Sequence, residues 1–428
     1  MQGQAQPASH GPHANPKWSA MKDVATGVAA WGALIAVLVL SPVFGSISSI
    51  VAVLFGFGLL PLTLERDSMA TLLRAPAQAL FLASFVALGV AFTLTALAPG
   101  DTLFLANFLA LPLSGLLYLW ARKLPASQVL CWVTALCLSG VAVATGFALF
   151  DIFGRGLPRA MGLVGNPNLM PRTALILGFV ALGGAVLART RRRWFYVAGP
   201  PLALLVTFLS GSRGAALAVP TMAILAAALV WRDRFGRLVV LGTMGILAIG
   251  ALALLILGDS SMSRFTSIGQ AISNGLLAGG ANVDPATGER LGMHRVGLAA
   301  FAERPWLGWG WAHLGTAAAA VDPSSFAKHA GSRFMYHNDA LNFAVAGGVV
   351  GLVAWLMLLA APVVGALASP HDGHFAIRLY CCLQLSLGYA MFGLTDMSLG
   401  YDLPTTLYAF LTALALGAGR SVPSTPRP

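Results

Sequence analysis

Charged residues are scarce in this sequence. They make up 10% of 428 positions, where a soluble globular chain carries roughly 25%. Set against 57% hydrophobic residues and a mean hydropathy of +0.78, that shortage excludes a soluble enzyme and a disordered chain. Cysteine is scarcer still: Cys131, Cys137, Cys381 and Cys382 all lie inside apolar runs, with no Cys-x-x-Cys pair and no nearby histidine. A disulfide scaffold and a zinc cluster are therefore excluded. Acidic residues number 15 against 26 lysines and arginines, a formal net charge of +11. In a chain this apolar, the excess is what the positive-inside rule produces, not a nucleic-acid surface. What the sequence does have is a series of long hydrophobic runs, so it reads as an all-α polytopic membrane protein.

Apolar stretches near the roughly 20 residues needed to cross a bilayer fall at 24–44, 46–63, 76–98, 102–121, 127–150, 169–188, 194–210, 214–231, 237–257, 338–362, 376–396 and 404–419. About twelve transmembrane helices are expected. The polar start, with His10, His13, Lys17 and Lys22, leads into a first run that lacks a small-x-small cleavage site, so that run reads as a retained span. With the N-terminus in the cytoplasm, alternate loops hold Arg66 and Arg74, Arg122 and Lys123, Arg189 with Arg191 to Arg193, Arg232 with Arg234 and Arg237, and Arg378. Together with Lys17, Lys22, Arg420 and Arg427 these are 16 of the 26 cations. The expected organisation is a cytoplasmic tail at 1–23, nine spans within 24–257, one long periplasmic loop at 258–336, three spans within 337–419 and a cytoplasmic tail at 420–428.

Cations on the outer side then need a reason. Arg155 and Arg159 follow the fifth span, Arg172 sits just inside the sixth, Arg213 occupies a tight turn, and Arg264, Arg290, Arg295, Arg304, Lys328 and Arg333 lie in the long loop. Within that loop, Leu291, Met293, Val296, Leu298 and Phe301 have helical spacing over 289–304, and Pro305 stops the run. Trp306, Trp309 and Trp311 follow, in a pattern that suits an aromatic belt at the membrane interface. A guanidinium between two apolar helices, as at Arg213, is costly unless it meets an anion or snorkels. In Gly165-Asn166-Pro167-Asn168 either asparagine could cap the sixth span or touch a ligand. His337-Asn338 opens the tenth span. An imidazole titrates ordinarily near about 6.5, and arginine neighbours would lower that value and keep His337 available as a general base.

Taken in order, Ser212-Arg213-Gly214 between two spans, Arg290 ahead of Pro305-x2-Gly308-x-Gly310, and His337-Asn338 with Gly347-Gly348 and Gly351 downstream resemble the O-antigen ligase and O-antigen polymerase superfamily, over roughly residues 150–400. His294 is a departure, because the family commonly has an aromatic residue four positions after the arginine. The resemblance implies a GT-C-like membrane fold. It also implies a glycosyltransferase that moves a glycan from an undecaprenyl-diphosphate-linked O-antigen donor to an acceptor hydroxyl on the periplasmic face of the bacterial inner membrane. In the ligase branch, which the chain resembles most, the acceptor is lipid A-core and the product lipopolysaccharide. In the polymerase branch it is another lipid-linked repeat unit, and in a third branch a protein, usually with a large C-terminal soluble region; here some nine residues follow the last expected span.

The implied catalytic residues are His337, Arg213 and Arg290, with Arg155, Arg159, Asn168, Arg172 and Asn338 as substrate-binding candidates. No Asp-x-Asp or His-Glu cluster stands in the outer loops to hold a divalent metal, so no cofactor is expected and arginine forks are the available partners for a diphosphate. A transporter of lipid-linked oligosaccharide is the competing class. It should place ionisable groups near the bilayer midplane, whereas Arg172, Asp339 and Asp396 all fall near span ends.

Overall fold

A computed structural model of the chain describes residues 16–65, 67–163, 165–188, 191–230, 237, 285–331 and 334–418. The expected span at 237–257, the first part of the long loop, and Arg66, Arg189, Arg232, Arg234, Arg264, Arg333, Arg420 and Arg427 lie outside the described residues, as do the side chains of Lys17 and Lys22.

The helical spans are α1 (Asp23–Phe44), α2 (Ser46–Leu64), α3 (Pro76–Thr95), α4 (Pro99–Ala121), α5 (Ala126–Gly154) and α6 (Leu169–Leu187), then α7 (Gly199–Ser210) and α8 (Arg213–Val230). A more polar helix, α9 (Pro285–Glu303), precedes α10 (Asp339–Leu367), α11 (Phe375–Gly393) and α12 (Asp402–Gly417). Among the described residues, nine of these helices are long and apolar enough to cross a membrane, as in a multi-pass membrane protein. Two of the twelve expected spans are present as shorter helices. The stretch 194–210 is divided at Ala198, just before Gly199-Pro200-Pro201, into Arg193–Val197 and α7, because proline supplies no amide donor to continue a helix. The last, α12, is 16 residues long, and every residue from Leu403 to Gly417 is buried. It is enclosed by other helices instead of facing lipid. α6 is the other central helix, 89% of its apolar window being buried inside the bundle.

The loop helix forms where the spacing places it. Its inner stripe is Met293, Val296 and Ala300, all buried, while Leu291 and Leu298 stay exposed. The segment after Pro305 docks onto α10 through backbone. Trp309 and Gly310 donate their N–H groups to the carbonyls of Val345 and Ala346 at 2.8 and 2.9 Å, and Val349 donates to Pro305 O at 2.7 Å. α10 breaks there, with Gly348 at φ 62° and ψ −149°, freeing the carbonyls that the loop takes up. A Cβ on Gly348 would meet the Trp306 backbone, and one on Gly308 (φ 70°) would meet the backbone at Val345–Gly347. The Pro-x2-Gly-x-Gly and Gly-Gly elements are thus two halves of one joint. It fixes α9 to the helix that begins beside His337.

The tryptophans divide differently from a belt. Trp306 is exposed, but Trp311 is 6% exposed and packs edge-on against Phe108 and Phe343. Trp309 bonds Ala300 O and lies under the Arg304 guanidinium at 4.0 Å. Packing on the docked loop wins over the interface for two of the three.

Candidate functional site

The site lies at the N-terminal end of α10, where four distant stretches of chain meet around Asp396. This aspartate, in the loop between α11 and α12, is 6% exposed. Arg172 Nη2 reaches its Oδ2 at 2.6 Å, and Asn168 Nδ2 donates to the same oxygen at 3.4 Å. His337 Nδ1 lies 2.7 Å from Oδ1, which also accepts the Met397 N–H at 2.9 Å. Burial opposes ionisation of this carboxyl, but the His337 hydrogen bond and the Arg172 charge outweigh it and hold Asp396 well below the usual carboxylate range. An ionised carboxylate can only accept, so His337 Nδ1 carries a hydrogen, and in the neutral imidazole the lone pair then sits on Nε2. The His337 side chain is 29% exposed, which leaves it open to an incoming group.

Each partner is held in turn. His337 has a left-handed backbone, φ 51°, sparsely populated for any residue with a Cβ. On one side of it, Tyr336 is buried, its N–H donating to Asn342 Oδ1 and its hydroxyl to Leu314 O. On the other, Asn338 caps α10 by accepting the Leu341 N–H at 3.0 Å, and its amide donates to Leu394 O at 3.4 Å. Asp339 is fully buried and accepts the N–H groups of Ser398 and Leu399 at 2.7 and 3.1 Å. It therefore clamps the Asp396 loop to the start of α10. Both of its oxygens are occupied, and the side chain is closed off from solvent.

The turn before α8 joins the same cluster. Ser212 Oγ donates to Asn168 Oδ1 at 3.3 Å and also accepts the Ala215 N–H at the start of that helix. Gly214 packs so closely that a Cβ would meet the Thr395 hydroxyl, with Arg172 Nη2 3.7 Å away. Arg213 is thus the chain neighbour of a glycine packed against Thr395 and Arg172. Asn166, not Asn168, caps α6: its Oδ1 accepts the N–H groups of Asn168 and Leu169, which frees the Asn168 side chain for Asp396 and Ser212.

Arg159 Nε donates to Ser210 O at 2.6 Å, which ties the loop after α5 to the Arg213 turn. Arg155 is engaged by Asp151 at 2.8 Å, whose other oxygen accepts the N–H groups of Met161 and Gly162, so this ion pair shapes the loop. Arg290 lies one turn before His294, and the two interact electrostatically. Burial above all, with the Arg290 charge, lowers the His294 pKa, while the backbone of His337 and Tyr336 acts against that. The imidazole at the departing position therefore feels both Arg290 and His337.

Asp396 is the member that the motif reading did not assign. Its signal was an acidic residue directly after an apolar run; nothing local says which groups it meets. The nearest charged partner of His337 is this carboxylate, where arginines were expected. Beside the pair, Phe104, Asn107, Trp311, Met335, Met397 and Tyr401 line a cavity of about 540 Å³. Among the described residues, no three His, Cys, Asp or Glu side chains gather as a metal site would require.

Residues 201–356 match the family model described as O-antigen ligase. That segment is similar to the O-antigen ligase family. The match supports the superfamily read from the motifs and spans Arg213, Arg290, His337 and the Gly308–Gly348 joint. Arg155, Arg159, Asn168, Arg172 and Asp396 lie outside it. No curated protein matches the chain.

Proposed function

We propose that the protein is an O-antigen ligase, transferring O-antigen polysaccharide from undecaprenyl diphosphate to a hydroxyl of lipid A-core on the periplasmic face of the inner membrane. The observation that carries this reading is the Asp396–His337 pair beside the Arg213 turn, within and next to a segment similar to that family. In the reaction, His337 Nε2 takes the proton of the acceptor hydroxyl as its oxygen bonds the anomeric carbon. The bond from that carbon to the diphosphate oxygen breaks, and the diphosphate leaves with the electron pair. Asp396 fixes the imidazole tautomer and stabilises the imidazolium that forms. Arg213 and Arg290 meet the charge growing on the diphosphate, where planar forks bind phosphate oxygens in pairs. Arg172 is nearly buried and committed to Asp396, so it acts as a positioning residue. The cavity beside Met335 and Met397 holds the acceptor sugar, whose apolar faces suit the rings of Phe104, Trp311 and Tyr401.

Purified protein supplied with undecaprenyl-diphosphate glycan and lipid A-core tests the assignment. The expected product is glycosylated lipid A-core, formed equally well in EDTA. Product made only from two lipid-linked glycans would replace ligase by polymerase, and loss of activity in EDTA with recovery in magnesium would overturn the arginine clamp.

A further inference from the structure

At the opposite end of α10 from His337, a second cavity of about 240 Å³ is enclosed between the N-terminus of α3, the C-terminal end of α4 and the turn after α10. Its walls include Arg74, Gln78, Tyr118, Arg122 and Ser369, and no carboxylate is among its lining residues. Three kinds of donor line it. α3 is 20 residues long and begins at Pro76 with Ala75 as a cap that supplies no side-chain hydrogen bond. The first-turn N–H groups of Ala77 and Gln78 are thus left open at the positive end of the helix dipole. Gln78 is only 5% exposed. Its Oε1 is engaged with Ser114 at 3.0 Å, while its Nε2 has no partner among the described residues. Leaving a buried amide donor unsatisfied costs about 1–3 kcal/mol, so an acceptor brought against it would be stabilised.

The other two donors are the arginines. Arg74 is exposed at the rim. Arg122 is half-buried, with its guanidinium carbon 5.6 Å from the Tyr118 ring centroid, so the ring restrains the fork. An uncapped helix N-terminus, an unpaired amide and two guanidinium groups are complementary to one chemistry, a phosphate group. Ser369, on the remaining wall, is taken up by Arg378 and Ala366 O. That leaves the convergent donors for the ligand.

We infer that this cavity is a phosphate-binding site, remote from the Asp396–His337 pair, that takes the phosphate of an anionic lipid headgroup or a free phosphate. The inference does not depend on the proposed function. It stands on the polar groups at the far end of the bundle alone.

The test uses the full-length protein in dodecyl maltoside, a detergent without phosphate. Native mass spectrometry counts retained phosphatidylglycerol, and thermal unfolding is followed against added phosphatidylglycerol and, separately, inorganic phosphate. Wild type should bind and be stabilised. Arg74→Glu/Arg122→Glu should weaken binding by at least about tenfold per lost charge-assisted contact. Gln78→Leu keeps the side chain's bulk and removes the amide, and should weaken binding less. Should Gln78→Leu fail to fold, the arginine pair at the cavity mouth carries the result alone. Stabilisation by phosphatidylglycerol but not inorganic phosphate assigns the site to a lipid headgroup, and stabilisation by inorganic phosphate assigns it to a free phosphate. Absence of both responses in wild type, or equal binding by the arginine double variant, overturns the inference.

Discussion

Among the described residues two arginines are buried, one at each end of the bundle, and they are used differently. Arg378 is fully buried and its donors close on themselves. Nε reaches Ser369 Oγ, Nη1 reaches Asp372 Oδ2 and Ala418 O, and Nη2 reaches Asp372 Oδ1 and Pro370 O. All five N–H groups of the guanidinium have an acceptor. Arg172 is 7% exposed and spends Nη2 on Asp396 and Nη1 on Met397 O, while Nε has no partner among the described residues. Its aspartate faces onward to His337. A closed network of this kind secures structure, whereas an open one passes its charge to a group that can still react.

If that distinction is right, breaking the open network should cost turnover far more than stability. The largest effect is expected for His337→Ala, a fall in transfer of about 10⁴-fold, at the upper end of what a proton-transfer group contributes. His337→Gln should fail equally, because an amide keeps hydrogen bonds but cannot take the proton. The measurement is transfer rate beside thermal midpoint in detergent. Near wild-type turnover in the Gln variant would reduce His337 to positioning the acceptor.

Next comes Asp396→Asn, expected to lower turnover by about 10²-fold. An amide can donate to the imidazole as well as accept from it, so the tautomer is no longer enforced. KM for both substrates should change little, and Asp396→Glu should recover part of the rate. A variant that merely misfolds would lose binding and rate together, and Glu would not help. Arg213→Ala and Arg290→Ala should each remove a charge-assisted contact of about 1.5–3 kcal/mol, seen as weaker donor use. Lysine at either position should restore only part, since an ammonium lacks the fork. Full activity of both lysine variants would show that charge alone matters.

These expectations rest on parts of the molecule that were not equally legible in the sequence. The apolar runs, the loop helix ended by Pro305 and the elements around Arg213, Arg290 and His337 follow from local patterning, and most of the described helices stand where that patterning puts them. The Asp396 cluster does not follow from it. Its two ionisable partners lie 224 and 59 residues away along the chain, and no periodicity reports a pairing across that distance. Asn166 and Asn168 show the same limit at short range. Two residues apart, one caps α6 and the other joins the Asp396 cluster, because the fold brings Ser212 and Asp396 to Asn168 only. The Arg155–Asp151 pair is different. Its i, i+4 spacing was readable, and it marks Arg155 as a loop-shaping residue.

The smallest effect on turnover belongs to the closed network. Asp372 lies between α10 and α11. Burial raises its pKa, but the Arg378 hydrogen bond outweighs this and leaves the carboxyl below its ordinary value. A folded-state value below the unfolded one, about 3.9, means that the carboxylate stabilises the fold at every pH above that unfolded value. The stabilisation is lost as pH falls through the depressed folded value. Because the Asp372 side chain is 38% exposed, solvent screens the pair and the contribution is about 1 kcal/mol. Asp372→Asn should therefore lower the thermal midpoint slightly at pH 7, by the few degrees that about 1 kcal/mol represents. The difference from wild type should shrink as pH drops below about 4, and the rate per folded molecule should stay at the wild-type level throughout. Arg378 keeps Ser369, Pro370 and Ala418 as acceptors, so the rest of the network holds when the charge is removed. A loss of turnover in Asp372→Asn comparable to that of Asp396→Asn, with the midpoint unchanged, would mean that the two buried arginines are equivalent and that closure of a network says nothing about its use.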